Sequence, residues 1–84
     1  MGLLFKGKEE LELDSLIARL ESNMSNNYKD AAQADFHELE TAMDEMIASG
    51  RLKGRAKSRY EAKRTAYQEK LRGYSHKDQK PFWT

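Results

Sequence analysis

The chain reads as an all-α protein, a three-helix bundle built on an antiparallel helical hairpin. Three observations predict it. Apolar residues recur at helical period in three separate segments. A single proline, Pro81, lies close to the end of the 84 residues, and 35% of the chain is charged. The charge is also divided. Residues 1–50 carry eleven Asp/Glu and four Lys/Arg, and residues 51–84 carry eleven Lys/Arg and three Asp/Glu, so a net −7 precedes a net +8. Such a split suits either two segments that fold back to back and neutralise each other or a basic surface for a polyanion.

The first helix is expected over about residues 8–24. Leu13, Leu16, Ile17, Leu20 and Met24 fall on one helical face. Glu9, Glu10, Glu12 and Asp14 crowd its first turns, where carboxylates oppose the positive end of the helix dipole. Ser22-Asn23 and Ser25-Asn26-Asn27 then interrupt the pattern with residues that compete for backbone hydrogen bonds.

The second helix is expected over about 28–49, with Asn27 as N-cap and Asp30 three residues on. Its core positions are Tyr28, Ala32, Phe36, Leu39, Met43 and Met46-Ile47, and Gly50 stands where a left-handed C-terminal residue is wanted. The third helix is expected over about 52–72, with a stripe of Leu52, Ala56, Tyr60, Lys63, Tyr67, Leu71 and Tyr74. Gly54 delays its start, Gly73-Tyr74 stops it, and residues 75–84 are expected to be extended.

The short connector makes the second and third helices antiparallel neighbours, the charge-complementary pair of the bundle. Pairing them about Gly50–Gly54 sets Met43 on Tyr60, Phe36 on Tyr67 and Ala32 on Leu71, with Glu40 near Lys63 and Arg64 and Asp44 near Arg59. The first helix then fills the groove of that pair. A second architecture competes. Leu20, Met24, Tyr28 and Ala32 keep a spacing of four across the Asn-rich break. One long helix over 8–49 plus a shorter antiparallel helix would lack a partner along its first half and would dimerise.

Bulk properties bound the function. Eighty-four residues make one domain. A chain of this size buries only about 60% of its unfolded surface and is expected to hold about 3–5 kcal/mol of stability. The absence of cysteine excludes disulfides and thiolate metal sites. No apolar run approaches the ~20 residues of a membrane span. Met1–Phe5 is too short an apolar stretch for a signal peptide, and its lysines follow it. The expectation is a soluble cytoplasmic chain with no cofactor and no membrane partner.

Two features point to partners. The basic run Arg51, Lys53, Arg55, Lys57, Arg59 and Arg64 offers phosphate contacts, and the tyrosines of the same helix could stack on bases. Interleaved Ala and Tyr at core spacing favour the opposite use, in which these cations meet the acidic helices. The second feature is a pair of apolar clusters outside the helical stripes: Leu3-Leu4-Phe5 at one end and Pro81-Phe82-Trp83 at the other. Large apolar side chains that a small core does not require carry binding energy at interfaces. The expected function is therefore a small non-enzymatic protein-binding module, an adaptor, subunit or inhibitor, anchored through these clusters or self-associating. A nucleic-acid accessory protein is the alternative. His37 with Glu40 and Asp44, one flank of the second helix, has metal-ligand residue types, but the Glu-x-x-His order of bundle metal sites is reversed and occurs once. No Ser/His/Asp or Cys/His arrangement suggests an enzyme.

Overall fold

A computed structural model describes the backbone of residues 7–79 and the side chains of residues 7–72. Three helices follow one another: α1, Lys8–Ser25; α2, Lys29–Ala48; and α3, Gly54–Gln79. The all-α bundle is as the periodicity predicts. No helix of the described residues is long and apolar enough to cross a membrane.

The chain reverses twice by the same backbone device. At the end of α1, Asn27 takes a left-handed φ of 63°. Its N–H donates to the Met24 carbonyl, and the Tyr28 N–H reaches back to Asn23. At the end of α2, Gly50 takes φ 79°, its N–H donates to Ile47, and the Arg51 N–H donates to Met46. Both are Schellman closures, which satisfy carbonyls that the helix end would leave orphaned. The long 8–49 helix is thereby excluded. Asn27 is not the N-cap of α2 but the left-handed residue that ends α1. Asn tolerates that conformation better than most non-glycine residues, because its short side chain bonds locally. Tyr28 stands at the N-cap without a side-chain cap bond and is 60% exposed, so it is not a core residue.

The core is a single cluster. It holds Leu13, Ile17 and Leu20 from α1, Ala32, Phe36, Leu39, Met43 and Met46 from α2, and Tyr60, Tyr67 and Leu71 from α3, with Leu52 of the connector buried beneath. Leu16, Met24, Ile47 and Ala56 pack around it half-buried. Lys63 is exposed and Arg64 half-buried, so Arg64 occupies the stripe position expected of Lys63.

The antiparallel pair that packs most closely is α1 with α2, not α2 with α3. Side-chain size gives the reason. The interaxial distance of two helices follows the residues at their contact. α1 brings only leucine and isoleucine side chains to the core, whereas α3 brings Tyr60 and Tyr67 and is held further off. The α2/α3 register is also displaced by about one turn from the expected one. Asp44 pairs with Arg64 rather than Arg59, and Phe36 shares a hollow with Gln68 and Leu71.

The third helix departs from expectation at its far end. It does not stop at Gly73 but continues to Gln79, into the tail of residues 75–84 expected to be extended. A glycine inside a helix costs only ~1 kcal/mol relative to alanine, and none of the six residues after it forbids a helix. Pro81 is the first residue here that forbids continuation.

Candidate functional site

The surfaces of the bundle follow from how α3 is fastened to α1. The Tyr60 hydroxyl donates to Asp14 Oδ1 at 2.6 Å and stands 3.4 Å from the Glu10 carbonyl. One helical repeat on, the Tyr67 hydroxyl donates to the Glu21 carboxylate. Both partners are 46 residues apart in sequence, so α1 and α3 run parallel with a constant offset. Burial pushes the Tyr60 hydroxyl up to about 12, helped by the bond to Asp14 and opposed by Arg59. Burial and then the Glu21 carboxylate push Tyr67 in the same direction. Arg59 lies over the Tyr60 ring and Lys70 over the Tyr67 ring, at 5.2 and 5.6 Å from the ring centres.

Ion pairs surround these bonds. Arg51 meets Glu9 at 3.7 Å, Arg59 meets Glu10 at 3.6 Å, and Arg64 meets Asp44 at 3.0 Å. Each is at least partly exposed and worth ~0–1 kcal/mol, so their number matters less than their direction. Three of the six candidate phosphate-binding cations point at acidic residues of α1 and α2. The other three, Lys53, Arg55 and Lys57, stand at the start of α3, with no side-chain partner among the described residues. The candidate set is therefore split: Arg51, Arg59 and Arg64 are engaged, and the rest are not.

The α1/α2 seam contains a feature that sequence reading passed over. Asp35 is a buried carboxylate, 7% exposed. Its two oxygens accept from Arg19 Nε at 2.9 Å and from Asn23 Nδ2 at 2.5 Å. Arg19 extends to Glu38 as well. Asn23 is thus a working helix-interior residue rather than a breaker. The signal was present, since Arg19 and Asn23 step by four along α1 while Asp35 and Glu38 step by three along α2.

Beyond this network the outer side of the α1/α2 pair opens into a groove of about 380 Å³. Leu16 and Ala42 form its half-buried floor, and Glu12, Glu38 and Glu45 its rim, with His37 alongside. Among the described residues, no group of three His, Asp or Glu is placed to hold a metal ion.

The six terminal residues singled out as anchors, Leu3, Leu4, Phe5, Pro81, Phe82 and Trp83, lie outside the described residues. The helix that leads toward the last three is described. The α1/α3 offset brings Leu71 level with Ser25, the last residue of α1. Residues 72–79 then carry α3 about 12 Å past the α1/α2 pair. No protein-family model, curated protein or solved structure matches this chain.

Proposed function

We propose that this chain is a small non-enzymatic protein-binding module whose anchors are its terminal apolar residues, Phe82 and Trp83 above all. The observation that carries the reading is the length of α3, which runs two turns beyond the α1/α2 pair toward Pro81-Phe82-Trp83. Aromatic side chains suit a partner's pocket, because their conformational cost is small and their apolar area large. The nucleic-acid alternative has less support. Arg59 and Arg64 are turned onto acidic α1 and α2, and Tyr60 and Tyr67 are buried rather than free to stack.

The test compares the full chain with a variant lacking Pro81–Thr84, in thermal melts and in co-purification from cell extract followed by binding to the recovered partner. The expected result is an unchanged melting temperature with the partner lost. A large drop in melting temperature with the partner retained would show that the tail serves the fold instead.

A further inference from the structure

Leu16 belongs to the apolar stripe of α1, yet the bundle leaves it half-buried. With Ala42 it floors the outer groove, and Ala34 and Thr41 continue the lining along α2. From Ala34 to Glu45 the α2 side of the groove is about 16 Å long. The Tyr60–Asp14 and Tyr67–Glu21 bonds hold α3 on the other side of α1, so among the described residues no helix covers this groove. The two apolar clusters outside the helical stripes differ in their access to it. Pro81-Phe82-Trp83 follow α3, which has by then passed Ser25, the far end of α1. Leu3-Leu4-Phe5 precede Lys8, and the groove begins one turn further on, at Glu12.

We propose that Leu3-Leu4-Phe5 of the same molecule is the occupant of this groove, a strap that turns back along α1. The reversal falls at Gly7, where no side chain stands in the way. At ~3.3 Å per extended residue, Phe5 then comes about 7 Å and Leu3 about 13 Å along the groove. At ~1.5 Å per helical residue, Glu12 lies about 6 Å and Leu16 about 12 Å from Lys8. The segment thus spans the stretch from the groove's mouth to its leucine floor. Alternate side chains of an extended segment face one way, so Leu3 and Phe5 meet the floor together and Leu4 faces water. The covalent tether holds the segment near the groove at about millimolar effective concentration, which a free ligand of the same composition lacks. So held, the strap closes the groove to other molecules. Phe82 and Trp83 take no part in this contact, so its failure would leave the tail-anchored reading standing.

Disulfide trapping in the full chain tests it, since the sequence has no cysteine to confuse the result. L3C/A42C places one thiol on the strap and one on the groove floor. L3C/A18C is the control: Ala18 is exposed two residues beyond Leu16, about 200° around α1, at similar reach from the N-terminal segment. Under mild oxidation at low protein concentration, L3C/A42C should close within one molecule at least about tenfold faster than the control. Circular dichroism checks that both variants remain helical. Equal rates would show a segment with no preferred position and overturn the proposal. Disulfide-linked dimers of L3C/A42C in place of closed monomers would assign the groove to another copy's segment and overturn it likewise. Thermal melts supply a second readout. Leu3→Ser/Phe5→Ser should lower the melting temperature by about 4 °C or more, and Leu4→Ser should leave it nearly unchanged. No loss in the double variant, or an equal loss in Leu4→Ser, would contradict the strap.

Discussion

Tyr60 and Tyr67 are seven residues apart, as are Asp14 and Glu21, and this shared interval fixes how α3 lies on α1. Both tyrosines were legible as core residues from their spacing. Their hydroxyl partners were not, because a stripe of apolar residues says which face is buried and not against which neighbour. Tyr60→Phe should cost about 1 kcal/mol, the usual net worth of such a bond, seen as a lower denaturant midpoint at constant m-value. The pair also sets a pH response. The folded chain holds the Tyr60 proton up to about pH 12, while the unfolded chain releases it near the ordinary tyrosine value of 10.0. Between those values the folded state binds more protons, so stability falls as pH rises through the window. In Tyr60→Phe/Tyr67→Phe the alkaline loss should be shallower. Asp35 is the residue that sequence reading passed over, because a carboxylate beside Phe36 looks like a solvated flank unless the Arg19/Asn23 and Asp35/Glu38 spacings are set against each other across the seam. Asp35→Ala strands both partners and should cost about 1–3 kcal/mol in equilibrium unfolding.

At the scale of elements, local chemistry fixed the helices well and their ends less well. The second reversal was readable because Gly50 is the residue a left-handed position prefers. The first was readable as a break but not in its geometry, since Asn27 serves an N-cap and a left-handed closure about equally well. Asn27→Ala should lower stability by about 1 kcal/mol or more through left-handed strain, whereas Asn27→Gly should be near neutral or better. Thermal melts of Asn27→Ser distinguish this closure from an N-cap: serine would serve an N-cap as well as asparagine does but is disfavoured at the left-handed φ of 63°. Gly73 was misread as a stop because a glycine alone does not end a helix. Gly73→Ala should therefore raise the helical signal in circular dichroism and stabilise α3 by up to ~1 kcal/mol. If Gly73 did end the helix in a left-handed turn, the same change would be destabilising.

At the scale of the molecule, the charge division has a structural use. The acidic α1 and α2 receive the basic α3, and the two strongest signals in the composition, segregation and near-neutrality, describe one packed object. The choice of hairpin partner was not legible, because opposite charge favours both α2/α3 and α1/α3 and only side-chain bulk ranks them. The groove on the outer α1/α2 side was invisible for the same reason: it exists only once that seam is known. Arg59, Arg64, Tyr60 and Tyr67 of α3 turn inward, which favours the proposed protein partner over a nucleic acid. The most direct measurement is a binding isotherm of the full chain with mixed-sequence DNA and RNA near 0.15 M salt. The account predicts at most non-specific binding, with Kd no tighter than about 10⁻⁶ M. Saturable submicromolar binding that falls steeply with salt, and disappears in Arg59→Glu/Arg64→Glu, would contradict it.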